Sequence, residues 1–183
     1  MRGVNVGGRN SLSMATLRQC LQQAGLVNVR TLTQSGNVIF ESDARSATKL
    51  TTQIVGAVSA ALGIDLRIVL VSETQLKTIV MDAPADWARR ADLRRNVAFL
   101  RPSVTANHVL KQLDPKPGID SVKPGKGVVY LATVMSGLHK SGLRKLIGTP
   151  VYQEMTIRTY GTCQKILALM EDRRDALGGG QIL

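Results

Sequence analysis

Apolar residues recur every three or four positions in several stretches of the chain, a spacing that places them on one face of an α-helix. A serine that can accept hydrogen bonds from first-turn amides precedes each of the first three stretches. Gly25 and Gly63 follow the first two and can end a helix in the left-handed conformation. The expected helices cover residues 13–24, 46–62, 72–80, 105–113 and 143–147, and a final helix begins at Thr162.

Other stretches alternate between apolar and polar residues or are short and apolar, as β-strands are. Glycine-containing turns at 34–36 and 124–127 separate two pairs of these stretches and predict hairpins. The opening residues, 1–10, show a similar alternation with glycines and amides at a strand end. The expected strands cover residues 28–32, 37–41, 66–71, 97–101, 119–122 and 128–134, after a short first strand at the N-terminus.

The same element order occurs twice, with an offset of about ninety residues, which indicates a duplication. The sequence therefore predicts an α+β protein of two tandem ferredoxin-like (βαββαβ) halves, plus a C-terminal helix. Each half is expected to be an antiparallel sheet covered by helices on one face. The expected domains are a first half at 1–86, a basic linker at 87–95, a second half with the C-terminal helix at 96–177 and a flexible tail at 178–183.

Net charge is the strongest deviation in composition. The 183 residues carry a formal charge of +11, of which residues 93–183 contribute +8. Because a basic surface attracts polyanions, the expected partners are nucleic acid or a phosphorylated small molecule. The sequence shows no secretory signal and no long apolar stretch, so we expect a cytoplasmic protein without a membrane partner. Cys20 and Cys163 are expected to be unpaired thiols.

Glycines and amides in two N-terminal turns form the main candidate site. Glycine lets backbone N–H groups approach a ligand closely, and a turn of such groups beside an arginine can bind an anion. Ordinary tight turns use the same residue types, so both interpretations stay open. The candidate ligand-binding residues are Arg2, Asn5, Gly7, Gly8, Asn10, Gln34, Ser35, Gly36, Asn37 and, before the last helix, Arg158.

Two basic clusters are further candidates. The run Arg89–Arg95 could hold phosphates while Trp87 stacks on a base, although a solvated linker is the favoured interpretation. Lys140, Arg144 and Lys145 form the second cluster, for which an exposed helix face is favoured. Aromatic residues make up only 3% of the chain, which argues against a platform that stacks single-stranded bases.

The sequence contains no complete catalytic or metal-binding motif, and His108 and His139 stand alone. We therefore assign no catalytic residue, and we expect no metal and no cofactor. Three functions stay open. The favoured one is a module that binds a phosphate-bearing ligand or nucleic acid. The others are an enzyme acting on a small anionic substrate and a protein-interaction domain without catalysis.

Several short motifs together carry a family resemblance. They are Arg2–Gly8, Met14, Leu17, Gln34–Val38, Thr156, Arg158 and Thr162. On these residues the chain resembles the domain of unknown function 1697 family along nearly its whole length. The resemblance implies two tandem ferredoxin-like halves and no established activity.

The chain departs from this family at two places. Relatives carry apolar residues before the Arg-Gly pair, where this chain starts at Met1, and Asn and Trp after the Thr-x-Arg element, where it has Thr159–Gly161. We therefore expect a short first strand, unless the natural start lies upstream of Met1. An exposed sheet edge there would allow two copies to pair as a homodimer.

Overall fold

The computed structural model of the protein describes residues 13–32, 36–63 and 65–176. The chain divides into two compact units, with the boundary between Leu70 and Val71. The sequence placed this boundary further along, in residues 87–95. The expected α+β class with antiparallel sheets and a C-terminal helix is confirmed.

In its described part, the first unit contains two helices and an antiparallel hairpin. The elements are α1 Met14–Gln23, β1 Val27–Leu32, β2 Asn37–Glu41 and α2 Ala47–Leu62. β1 and β2 pair with Leu32 opposite Asn37 and Arg30 opposite Ile39. The apolar stripes of both helices face a common core with the hairpin, formed by Leu17, Leu21, Val29, Leu50, Ile54, Val58, Leu66 and Ile68.

Helix ends in the first unit follow the expected capping chemistry. The hydroxyl of Ser13 accepts a hydrogen bond from the Thr16 amide at 3.0 Å, and Ser46 accepts one from Lys49 at 3.3 Å. Gly63 ends α2 with φ 64°, a left-handed conformation that favours glycine. No strand is assigned to 66–71 in the described residues, although Leu66 is buried there as expected.

The second unit is a four-stranded antiparallel sheet with helical segments on both faces. Its regular elements are α3 Glu73–Met81, β3 Leu93–Leu100, α4 Ala106–Leu110, β4 Asp120–Gly125, β5 Val128–Val134, β6 Met155–Thr159 and α5 Tyr160–Ala176. Four 3-10 segments lie at Ala85–Ala88, Met135–Lys140, Gly142–Gly148 and Pro150–Glu154. The strand order is β4-β5-β3-β6, so the first strand of the unit lies between its third and fourth.

The two sheet faces bury different sets of residues. One face packs against α4 and the 3-10 segments through Ala98, Leu100, Val109, Val129, Leu131, Leu146, Val151 and Met155. On the other face, Val97 lies between its strand partners Tyr130 and Arg158. α3 and α5 pack together on this side, where Trp87 is 2% exposed. The expectation that helices cover only one face is therefore wrong for this unit.

Two tyrosine hydroxyls satisfy the carbonyl end of α3. Tyr130 donates to the Ile79 carbonyl at 2.8 Å, and Tyr160 donates to the Val80 carbonyl at 3.1 Å. Carbonyls in the last turn of a helix have no partner within the helix, so these bonds remove a cost of burying the helix end. The sheet and α5 thus hold the same helix end.

Residues 87–95 are part of the folded unit and do not form a linker. Trp87 packs edge-on against Tyr130, with ring centroids 5.8 Å apart, and against Tyr160 at 5.1 Å. β3 begins at Leu93, which is 7% exposed. Burial of a large aromatic side chain therefore outweighs the polar composition of this stretch.

Three other elements differ from their expected form. The helix expected at 105–113 ends at Leu110, and the one expected at 143–147 is a 3-10 segment. The second hairpin turns at Lys126 and Gly127 rather than at 124–127, because β4 extends through Gly125. The start of α5 at Tyr160 precedes the expected Thr162, and the expected tail at 178–183 lies outside the described residues.

Burial raises the pKa of Tyr130 to about 12 from the ordinary value of 10.0, with smaller contributions from Asp82, Tyr160 and Cys163. The folded state thus favours the neutral phenol, and this contribution to stability is complete below pH 10 and lost as the pH rises through 12. We expect absorbance titration of native protein to show a tyrosine that ionises at about pH 12.

That ionisation step should disappear in Tyr130→Phe, which also loses the bond to Ile79 and about 1 to 2 kcal/mol of unfolding free energy. The Tyr152→Phe variant, altered on the opposite side of the sheet, should keep the step. If the step persisted in Tyr130→Phe, the assignment to Tyr130 would be wrong.

Candidate functional site

The carboxylate of Asp120, the first residue of β4, joins three segments of the second unit. Its Oδ1 accepts hydrogen bonds from the hydroxyls of Thr133 at 2.8 Å and Ser141 at 2.7 Å. Its Oδ2 accepts from the backbone amides of Lys116 at 3.0 Å and Gly142 at 2.9 Å. One carboxylate therefore fixes β5, the loop before β4 and the start of the 3-10 segment Gly142–Gly148.

Burial by itself raises the pKa of Asp120, but the bonds from Lys116, Ser141, Thr133 and Gly142 together outweigh burial, so the pKa lies below its ordinary 3.8. A carboxylate that accepts several hydrogen bonds is stabilised in its charged form. Asp120 is thus ionised at neutral pH and acts as a permanent acceptor.

Only glycine fits at position 142, because the backbone there lies against the preceding loop. A Cβ atom built on Gly142 would be 1.7 Å from the carbonyl oxygen of Asp114. The chain can make this approach only without a side chain. Gly142 and Asp120 together therefore set where the 3-10 segment lies on the surface of the unit.

A group of basic side chains surrounds this segment. We call it the basic surface and define it as Lys116, His139, Lys140, Arg144 and Lys145. Three of its members, His139, Arg144 and Lys145, line a shallow, open depression together with Ser141, Ile147 and Gly148. No acidic side chain lines this depression, whereas two formal cations, Arg144 and Lys145, do.

Asp114 lies at the edge of the basic surface and is shared by two of its lysines. Its Oδ2 is 2.8 Å from Lys116 Nζ and 3.0 Å from Lys145 Nζ. Hydrogen bonds from Lys116 and then Lys145 hold the pKa of Asp114 below its ordinary value. Lys140 and Arg144 have no acidic partner within the described residues.

The depression does not present a catalytic triad. The Ser141 hydroxyl donates directly to Asp120, whereas a triad places a histidine between serine and carboxylate. His139 lines the same depression, but it makes no bond to Ser141 among the described contacts. The described contacts of Ser141 therefore do not form a Ser–His–Asp arrangement.

The structure describes three of the ten residues that the sequence assigned to ligand binding. Gly36, buried, has φ 73°, and Asn37 begins β2; both belong to the first unit. Arg158 belongs to the second unit, where its Nη1 donates to Thr156 Oγ1 and to the Ile157 carbonyl, each at 2.8 Å. The other seven lie outside the described residues: Arg2, Asn5, Gly7, Gly8, Asn10, Gln34 and Ser35.

Burial lowers the pKa of Arg158, and the nearby thiol of Cys163 opposes this shift. Burial likewise raises the pKa of the Cys163 thiol to about 11, against an opposing effect of Arg158. A thiol with so high a pKa is a weak nucleophile at neutral pH. The Cys163 thiol is therefore not activated as a nucleophile by its surroundings.

Trp87 cannot stack on a nucleic-acid base, because it is buried among Tyr130 and Tyr160. The run Arg89–Arg95 is also partly occupied by local contacts. Arg90 pairs with Asp92 at 2.7 Å, and Arg95 donates to the Trp87 carbonyl. The hypothesis of a stacking interface at this run is therefore wrong.

Sequence reasoning recognised Lys140, Arg144 and Lys145 as a cluster but favoured an exposed helix face. It missed Lys116, Asp114 and the Asp120 carboxylate altogether. Asp114 and Asp120 reach the segment 141–145 through contacts that span 21, 22 and 31 positions of sequence, which no local spacing encodes. The sequence gives no sign of the role of Gly142 either, because its close approach to Asp114 is a tertiary contact.

Comparison with known proteins supports the family and the fold. The family model described as "Protein of unknown function (DUF1697)" matches residues 1–130, so the chain belongs to this family, and the sequence resemblance is confirmed. The structure is similar to that of the conserved bacterial protein SP0830 from Streptococcus pneumoniae. The two are 27% identical, with 91% of this chain and 93% of that chain covered and a TM-score of 0.80. No curated protein matches the chain.

Helices in the described ranges are all too short or too polar to cross a bilayer.

We expect Gly142→Ala to destabilise the second unit by about 2 to 4 kcal/mol, because the new methyl group would collide with backbone at Asp114. Urea unfolding followed by fluorescence reports this unit, since Trp87 is the single tryptophan of the chain.

Gly148→Ala is the matched control within the same 3-10 segment. A Cβ there meets nothing within 4 Å, so the change should stay within about 0.5 kcal/mol. Equal effects of the two substitutions would contradict the close approach at Gly142.

Proposed function

We propose that the protein binds a phosphate-bearing ligand, either nucleic acid or a phosphorylated small molecule, through the basic surface. The observation that carries this proposal is the depression lined by His139, Arg144 and Lys145 with no acidic side chain. Arginine and lysine bind phosphate oxygens through charge-assisted hydrogen bonds. Lys140, on the neighbouring 3-10 segment, adds a formal cation to Arg144 and Lys145.

The charge balance of the second unit supports this assignment. Residues 71–178 contain 17 Lys and Arg against 10 Asp and Glu, a net charge of +7. Several of the acids pair with cations elsewhere, as Glu154 does with Arg101 and Glu171 with Lys77. These pairs lie outside the basic surface, where Lys140 and Arg144 have no acidic partner among the described residues and can attract anions.

Preorganisation also supports binding at this place. The four hydrogen bonds to Asp120 hold the start of the segment that carries Arg144 and Lys145. A ligand then meets a backbone that is already ordered, which reduces the entropy lost on binding. Long exposed cations on an unordered loop would lose more conformational entropy when a ligand binds.

The glycine and amide turns of the first unit stay a second proposed binding region. The positive φ of Gly36 supports a tight turn at the start of β2. Such a turn can direct backbone amides toward an anion. Asn37, which follows it, could add its side-chain amide.

The topology and the cysteines support two further parts of the proposal. The order β4-β5-β3-β6, with every neighbour antiparallel, supports a ferredoxin-like arrangement of the second unit, with 3-10 segments in place of its second helix. We extend the same arrangement to the first unit as a proposal. The two free thiols, Cys20 and Cys163, support a reducing compartment such as the cytoplasm.

Charge reversal tests the site. The double variant Lys140→Glu with Arg144→Glu should bind inorganic tripolyphosphate at least about tenfold more weakly than the unaltered protein, since each lost charge-assisted bond is worth about that factor. Isothermal titration calorimetry measures the dissociation constant.

The control is Arg89→Glu with Lys165→Glu, two exposed cations of the same unit that are not part of the basic surface. It makes the same change in net charge and should weaken binding by no more than about twofold at 0.15 M salt, where distant charges are screened. Equal losses in both double variants would assign binding to diffuse charge and overturn the proposal.

A further inference from the structure

We propose that the ligand of the basic surface is duplex nucleic acid, held through its phosphate backbone without base stacking. This inference rests on the proposed function and names the ligand class of the same site. Three observations carry it: the location of the aromatic side chains, the shape of the depression and the internal pairing of Asp114.

No aromatic side chain is fully exposed to stack on a base, and three of the six, Trp87, Phe99 and Tyr130, are buried. The chain has six such residues, all within the described ranges and none of them exposed: Phe40, Trp87, Phe99, Tyr130, Tyr152 and Tyr160. Proteins that bind single strands stack bases on exposed aromatic rings, and each stacked base adds substantial affinity. Without such rings, a single strand can contribute only its phosphates.

Duplex DNA is the better polyanion for a surface of this kind. It carries one charge per about 1.7 Å of helix axis, and each neutralised phosphate contributes more to the salt dependence of binding than in a single strand. The formal cations Lys116, Lys140, Arg144 and Lys145 could each meet a backbone phosphate. Charge density therefore favours the duplex where stacking is absent.

The shape of the depression disfavours a small ligand. Sites for small molecules are usually clefts that enclose most of the ligand surface. Here the floor is shallow and open, and Ile147 at its edge is 64% exposed. A flat, positively charged surface of this form is complementary to an extended backbone rather than to an enclosed metabolite.

Asp114 acts as an internal competitor for the phosphate. Its carboxylate lies within 3.0 Å of both Lys116 and Lys145, the separation that a bound phosphate oxygen would adopt. A backbone phosphate must replace this carboxylate to contact the two lysines. Removing the Asp114 charge should therefore strengthen binding at this surface specifically.

The experiment measures fluorescence anisotropy of a labelled 20-base-pair DNA duplex and of each of its single strands, with tripolyphosphate as competitor. With about four phosphate contacts, duplex affinity should fall about a hundredfold between 50 and 200 mM salt. The duplex should bind at least about fivefold more tightly than either strand at 50 mM salt.

Asp114→Asn should bind the duplex about three- to tenfold more tightly, because no carboxylate then competes with phosphate for Lys116 and Lys145. Asp92→Asn is the matched control, since it removes one charge from an exposed pair with Arg90 outside the basic surface. It should leave duplex affinity within about twofold of the unaltered protein.

The outcomes separate this inference from the proposed function. If tripolyphosphate binds in a manner that depends on Lys140 and Arg144 but single strands bind as tightly as the duplex, only the duplex inference is overturned. Equal gains in Asp114→Asn and Asp92→Asn would overturn it too. If neither polyphosphate nor duplex binding responds to Lys140 and Arg144, both proposals fail.

Discussion

The Asp120 carboxylate is the interaction on which the surface of the second unit depends. A half-buried carboxylate loses part of its hydration, a cost that well-placed donors offset. Asp120 has four: two hydroxyls and two backbone amides. Because these donors come from the loop before β4, from β5 and from the start of a 3-10 segment, loss of the charge would release all three together.

This constraint connects the fold to the proposed site. The 3-10 segment Gly142–Gly148 carries Arg144 and Lys145, and its first amide donates to Asp120. Gly142 allows the backbone to approach Asp114 closely. On the opposite face of the sheet lies α3, and the hydroxyls of Tyr130 and Tyr160 bond to the carbonyls at its end. The cations of the basic surface therefore project from a backbone that is fixed at one end.

Local patterns in the sequence predicted the local structure well. Serine caps and helical stripes predicted α1 and α2, and the capping box at Ser72 is present at the start of α3. Family membership was also predictable, from the motifs spread along the chain.

Features that depend on tertiary contacts were not predictable in this way. The arginines around Trp87 indicated a linker, yet the stretch folds because the indole is buried against two tyrosines that lie more than forty positions away. The basic surface was visible as Lys140, Arg144 and Lys145, but only the structure shows Lys116 and Asp114 joining them. The glycine and amide turns, prominent in the sequence, fall largely outside the described residues and stay a prediction.

An NMR titration of isotope-labelled protein with the DNA duplex, followed through backbone amide shifts, locates the bound ligand directly. Binding at the basic surface predicts that the largest changes fall in residues 139–148 and at Lys116, with little change in α1 or at residues 89–92. Changes concentrated at residues 2–10 and 34–37 instead would contradict it and would place the ligand at the glycine and amide turns.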